Sequence, residues 1–239
     1  MRSSRRFFSH RKAFLVGSLS NLQTDLDFSS ATSVAPIGLT SKRIVDIVLA
    51  LSGIILLAPL LIICFVVTWT SSPGPVIFRH KRVGFNGKTF DCLKFRTMVA
   101  DAPERLRKLL EADAAAAVEW AQYQKLRNDP RVTPIGAILR KSSLDELPQL
   151  FNVLIGDMSV VGPRPVTEDE LLRYGASVKV YTACRPGITG LWQVTGRSST
   201  SYETRISCDA YYARKWSLAL DSKIIIVTIP SVLFTKNAH

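Results

Sequence analysis

The chain has 239 residues, with 31 Lys plus Arg against 19 Asp plus Glu and a formal net charge of +12. That length supports one domain or at most two, and the basic excess points to anionic partners: nucleic acid, anionic lipid headgroups or phosphorylated substrates. His10, His80 and His239 are far apart, and Cys64, Cys92, Cys184 and Cys208 show no C-x-x-C spacing, which argues against a zinc centre, a redox motif or a histidine-dependent triad.

Residues 1–40 read as a disordered, basic cytoplasmic tail. The tail opens with basic residues and no acid, then turns to Ser, Thr, Asn and Asp without sustained periodicity. Arg5-Arg6-Phe7-Phe8 faintly resembles a twin-arginine export signal, but the apolar stretch 13–16 is too short and no cleavage site follows.

Residues 44–69 read IVDIVLALSGIILLAPLLIICFVVTW and carry no charge after Asp46. A run of about 18 or more such residues is long enough to span a membrane. Pro59 in its middle removes a backbone donor and would kink a straight helix. Lys42 and Arg43 precede the run and Arg79, Lys81 and Arg82 follow it, and positive charge is retained on the cytoplasmic side. The run itself admits a kinked transmembrane helix or a re-entrant hairpin over residues 41–73 that enters and leaves by one face. The two basic flanks favour the hairpin.

Residues 74–239 form the remaining unit. Strand-like runs at 75–83 and 88–95 flank Asn86-Gly87, a two-residue hairpin turn signal. Lys94 and Arg96 alternate with apolar neighbours there, so a purely solvated ribbon does not account for them. Residues 102–126 predict one helix, with Pro103 in its first turn and apolar positions at helical spacing. Residues 134–140 predict a short helix. Ser143-x-x-Glu146 is a capping-box pattern, placing Asp145 and Glu146 in the first turn of a helix to about residue 155. Pro148 just inside it suggests an irregular first turn. Arg164, between Pro163 and Pro165, is held extended and suits phosphate or carboxylate recognition. Residues 167–174 and 202–216 predict helices, and 185–193 a Gly/Pro-punctuated loop followed by Gly196-Arg197. The apolar end, 224–234, is too short to cross about 30 Å of hydrocarbon and reads as interfacial or core.

These motifs, in this order, resemble the bacterial sugar transferases, monotopic polyprenyl-phosphate phosphoglycosyl transferases that initiate exopolysaccharide synthesis. The resemblance runs from about Lys42 to the C-terminus. It rests on Lys42-Arg43, Asp46 and Pro59 of the hairpin, and on Lys94-Phe95-Arg96-Thr97-Met98. It continues through Ser143-Leu144-Asp145-Glu146-Leu147-Pro148-Gln149, Gly156-Asp157-Met158-Ser159 and Gly162-Pro163-Arg164-Pro165. Arg185-Pro186-Gly187-Ile188-Thr189-Gly190-Leu191-Trp192-Gln193 closes the set. One departure is Ala58, where some members place Ser before the hairpin proline.

The resemblance implies an α+β, mainly α, fold: a re-entrant membrane helix-hairpin, a small β-hairpin and interfacial helices around a cytosolic active site. It implies transfer of a sugar-1-phosphate from a UDP-sugar to undecaprenyl phosphate, with release of UMP. Asp145 is the implied nucleophile, Glu146 holds Mg²⁺ or orients Asp145, and both carboxylates are the implied metal ligands. A carboxylate facing a diphosphate is repelled by it, which a divalent cation relieves. Lys94, Arg96 and Arg164 would neutralise the remaining phosphate oxygens. The implied setting is the bacterial inner membrane, among its lipids, with the site and both termini on the cytoplasmic side. A homo-oligomer is compatible with this reading. The contrasting reading is a membrane-tethered basic binding protein without chemistry; no nucleic-acid motif supports a nucleic-acid partner. Intact Asp145-Glu146 argues against an inactive, regulatory member.

Overall fold

A computed structural model describes residues 35–123, 126–195 and 201–234. The expected tail therefore lies almost wholly outside the described residues, as does Gly196-Arg197. The fold is mainly helical, with two small sheets and one long apolar helix near the N-terminus.

That helix, α1, is Leu39–Ser71, and the element continues through Pro59 without interruption. A proline costs its helix one N–H donor but leaves the flanking turns intact. Lys42, Asp46, Ala50, Cys64 and Thr68 are buried along one stripe of α1, while Ile44, Val48, Ile55, Leu56, Ile62 and Trp69 are exposed. Its buried stripe is gripped along its length. Lys42 pairs with Asp221 at 2.6 Å. Arg43 donates to the Val153 and Leu154 carbonyls. Asp46 accepts from Ser159 Oγ and the Val160 N–H, both at 2.9 Å. At the far end Arg96 donates to the Pro73 carbonyl at 2.8 Å and to the Ser72 carbonyl at 2.5 Å.

Strands β1 (Ile77–Val83) and β2 (Thr89–Phe95) pair antiparallel, with Val83 opposite Thr89. The connection is longer than a two-residue turn, because Phe85–Gly87 forms a 3-10 turn with Asn86 at φ 55° and Gly87 at φ 74°. The helix expected over 102–126 is two helices, α2 (Ala102–Ala112) and α3 (Ala114–Tyr123). Asp113 divides them: its backbone is extended, and its Oδ1 accepts from the Ala115 and Ala116 N–H groups. An aspartate that caps a new helix outcompetes continuation of the old one.

Helix α4 (Pro134–Ser142) leads to a 3-10 turn, Leu144–Glu146, and then to α5 (Gln149–Ile155). Strand β3 (Ser159–Val161) pairs in parallel with β4 (Gly187–Thr189), so two stretches that read as loops become one small sheet. Their contact is too close for side chains: a Cβ on Gly187 would stand 2.1 Å from the Gly162 nitrogen. Between them lie α6 (Glu168–Leu172), with a complete Thr167–Glu170 capping box, and α7 (Val178–Thr182). Helices α8 (Leu191–Thr195), α9 (Tyr202–Lys215) and α10 (Leu218–Phe234) complete the domain. The main core joins Val161, Leu191, Cys208, Tyr212 and Ile224, and a second joins Ala50 of α1 to Cys92, Val153 and Met158. All four cysteines are buried and free, small hydrophobes as their isolation in sequence suggests.

Candidate active site

Three separate stretches converge on one small cleft. Strands β1 and β2 supply Arg82, Cys92 and Lys94; the 3-10 turn and α5 supply Glu146 and Gln149; the β3 and β4 ends supply Arg164, Pro165, Ile188 and Gln193. One buried side chain sets the register between the first two. Asn152 of α5 accepts from the Leu93 N–H at 2.9 Å and donates to the Asp91 carbonyl at 2.8 Å. It thus bonds the β2 edge as another strand would and brings Glu146 beneath Lys94.

The expected capping box does not form. Ser143 sits at φ 57° as the left-handed C-cap of α4, with its N–H directed to the Arg140 and Leu139 carbonyls, and its side chain caps nothing. Glu146 is taken instead by Lys94, Nζ to Oε1 at 2.7 Å. A charge-assisted bond to an ammonium outcompetes one to a single amide. The irregular first turn expected from Pro148 is present: Asp145 and Glu146 lie in the 3-10 turn and α5 begins only at Gln149.

Asp145 is 8% exposed and lies beside the cleft rather than in its wall, where Glu146 stands. Burial pushes the Asp145 carboxyl up to about 6; Lys94 opposes the rise, the Glu146 charge adds to it and Arg140 opposes it. Burial would raise Glu146 too, but Lys94, Arg164 and Arg82 together outweigh it and hold that carboxyl below its usual range. Arg82 pairs with Glu170 of α6 at 2.7 Å. Burial and then the Arg82 and Lys94 charges push His80 down to about 4, so its ring is neutral near pH 7 and its Nδ1, 3.3 Å from Arg82, acts as an acceptor. Burial likewise pushes the Cys92 thiol up to about 11, which makes it a poor nucleophile. Arg164 lies 6.0 Å from the Trp192 ring centroid and makes no hydrogen bond or ion pair among the described residues.

Of the residues singled out in sequence, the structure gathers Asp145, Glu146, Lys94 and Arg164. It does not bring Arg96 to the cleft. That side chain is buried, and two of its nitrogens are committed to carbonyls at the C-terminal end of α1. Lys42, Arg43 and Asp46 lie elsewhere, spent on binding α1 to the domain, so the positive charge before the apolar run is used internally. Arg82, Gln149 and Gln193 line the cleft without having been singled out as site residues. Alternation along β1 is the signal that places Arg82 on the Lys94 face; Gln149 carries one too, one helical turn past Asp145.

Among the described residues no group of three or more His, Cys, Asp or Glu side chains is gathered to hold a metal. Two adjacent carboxylates are nonetheless a hard oxygen donor set of the kind that holds Mg²⁺ together with substrate phosphates. The residues therefore fit a cation whose remaining ligands come from the substrate.

An apolar helix exposed to its surroundings is clasped to a domain whose cleft sets a carboxylate among cationic side chains, the arrangement of a membrane-associated protein with a site suited to an anionic ligand. The family model described as bacterial sugar transferase matches residues 37–235. The exopolysaccharide production protein ExoY of Sinorhizobium fredii is 45% identical, over 87% of this chain and 92% of that protein. The undecaprenyl-phosphate galactose phosphotransferase of Salmonella typhimurium is 48% identical, over 83% of this chain and 41% of its own length. The UDP-glucose:undecaprenyl-phosphate glucose-1-phosphate transferase of Caulobacter vibrioides is 43% identical, over 83% of this chain and 72% of that one. The chain belongs to the bacterial sugar transferase family and is a phosphoglycosyl transferase.

Proposed function

We propose that the enzyme transfers a hexose-1-phosphate from a UDP-sugar to undecaprenyl phosphate, releasing UMP, as the first membrane step of exopolysaccharide or related glycan synthesis. The carrying observation is the buried Asp145 beside the Lys94–Glu146 pair, with Arg164 lining the same cleft and making no ion pair among the described residues. In the first step an Asp145 carboxylate oxygen attacks the sugar-linked phosphorus. The bond from that phosphorus to the UMP oxygen breaks, and the electron pair leaves with UMP. In the second step a phosphate oxygen of undecaprenyl phosphate attacks the same phosphorus, and Asp145 departs as a carboxylate. Two half-reactions spare the cleft from holding both bulky substrates together.

Lys94 holds Glu146 in place and adds positive charge beside Asp145, while Arg164 is available to the diphosphate. Mg²⁺ held by Asp145 and Glu146 would neutralise charge on the diphosphate. Glucose and galactose are both named among the relatives, and the donor is proposed only as a UDP-hexose.

The same proposal places α1 as a re-entrant element in the cytoplasmic leaflet of the inner membrane, bent at Pro59. A helix crossing the bilayer has its ends on opposite sides. Here the first turn, through Lys42 and Asp221, and the residues just past the last turn, through Arg96, are bound to one domain. The outward side chains of α1 between Ile44 and Trp69 are apolar but for Ser52, as lipid contact requires. A cleft held at that surface meets both a lipid phosphate and a soluble nucleotide.

The test is a UDP-sugar panel with Mg²⁺ and undecaprenyl phosphate, read out by UMP release. UDP-glucose or UDP-galactose is expected to give UMP and a lipid-linked sugar diphosphate. Release of the free sugar or of UDP, or no UMP from any donor, would overturn the proposal.

A further inference from the structure

Gln149 opens α5 beside Glu146, is 3% exposed, and lines the cleft. Among the described residues its amide makes no hydrogen bond, and its atoms are not among the fully buried unpartnered ones, so the amide keeps some accessible surface where the residue lines the cleft. A ligand in the cleft can supply the partner it lacks. Asn152 of the same helix shows the contrast, since both ends of its amide are spent on β2. Leu147 (φ −54°, ψ −36°) and Pro148 (φ −60°, ψ −16°) keep the chain right-handed between the 3-10 turn and α5. Gln149 therefore follows Asp145 by about one turn on the same side, roughly 6 Å along the axis.

We propose, resting on the two-step reading above, that Gln149 is a catalytic residue that donates its amide N–H to a non-bridging oxygen of the transferring phosphoryl group. The transferring phosphorus carries two charged non-bridging oxygens, its third equatorial oxygen being the ester link to the sugar, and each charged oxygen needs a donor. The other cations lining the cleft are already engaged, Lys94 by Glu146 and Arg82 by Glu170, which leaves Arg164 for one of the two oxygens and the other without a donor. A neutral donor also suits this position chemically. A cation one turn from Asp145 would pair with the carboxylate and blunt its attack, whereas an amide can serve the phosphoryl oxygens in both half-reactions.

The experiment compares wild type, Gln149→Leu and Gln149→Met as full-length enzyme in nanodiscs containing phosphatidylglycerol. The readouts are kcat and KM for UDP-glucose and UDP-galactose, the UMP burst without acceptor, and thermal unfolding. Both variants are expected to lose about 100-fold in kcat, the usual effect of removing one transition-state donor. The KM is expected to hold, the loss to be equal for both sugars, and the UMP burst to slow. Both variants should match the wild type in stability, because an amide that makes no hydrogen bond among the described residues is replaced by an apolar group of similar size. Loss of stability or failure to fold in both variants would make Gln149 structural and overturn the proposal. Unchanged kcat, a change confined to KM, or a changed ratio between the two sugars would overturn it as well. Wild type that releases no UMP would fail the functional reading itself, a result distinct from an active wild type with unaffected variants.

Discussion

At the scale of single residues, Asp145 combines two demands that conflict. A nucleophile must be ionised and close to its target, and burial beside Glu146 opposes ionisation. With its carboxyl pushed up to about 6 from an ordinary 3.8, Asp145 favours the folded state when protonated. Its relative contribution to stability is greatest below about pH 4 and is lost as pH rises through about 6, a span worth about 3 kcal/mol. Asp145→Asn is therefore expected to abolish the UMP burst and yet unfold at a higher temperature than wild type above pH 6. The difference should shrink toward pH 4, which thermal melts across that range would measure. For wild type, the burst rate should rise with pH through about 6 as the carboxylate forms. A burst independent of pH between 5 and 7, or a full burst from Asp145→Asn, would place the nucleophile elsewhere.

Arg164 makes the second residue-scale case. Held between Pro163 and Pro165 and free of ion pairs among the described residues, it has its fork available for a diphosphate. A lysine offers one point charge in place of a bidentate fork. Arg164→Lys is expected to lose most turnover, about 10- to 100-fold, with unchanged unfolding temperature. Turnover near wild type would show that the guanidinium geometry is not used.

At the scale of elements, α5 and β2 are one working unit because of Asn152. Its side chain closes backbone bonds that no strand supplies, on Leu93 and Asp91, which flank Cys92 and precede Lys94. Removing it leaves a partly buried N–H and a partly buried carbonyl without their partner. Asn152→Ala should therefore cost about 1–3 kcal/mol, from two unmade, partly buried hydrogen bonds. Denaturant unfolding would report this loss. The same change loosens Glu146 from Lys94, so turnover should fall in molecules that remain folded. A loss of stability no greater than that of an exposed Asn→Ala would show that the α5–β2 contact is carried by Val153 and Cys92 alone. The sheet end of the cleft has the same close tolerance, since the Gly162–Gly187 approach leaves no room for a Cβ.

For the whole molecule, α1 is the organising element: the domain binds it from Lys42 to Ser72, and its other side is apolar and exposed. Reporters fused at the two termini are expected to lie on the same, cytoplasmic side. Pro59→Leu restores one N–H donor and should favour a straight span, moving the N-terminal reporter toward the periplasm. Opposite locations for the two reporters on wild type would refute the re-entrant placement.

The family, the apolar run, the Asp145-Glu146 pair and the Arg164 presentation were all legible from the residues in order. Each is carried by neighbours in the chain: a hydropathy run, an adjacent dyad, a proline on either side. The end of the long helix expected at 102–126 also had a local signal in Asp113, an N-cap residue ahead of alanines. The pairings across the cleft had no such signal. Arg82 meets Glu170, Lys94 meets Glu146, and Asn152 meets β2 only once the antiparallel register and the packing of α5 have brought distant positions together. Arg96 and Lys42 make the same point from the other side. Both are basic residues in motif positions, and tertiary contacts with carbonyls and with Asp221 hold them away from the cleft wall. Local sequence determined which chemical groups the protein carries. The folded chain decided which of them remain unpaired and face the cleft, because a charge buried among partners is stabilised by them and is no longer available to a ligand.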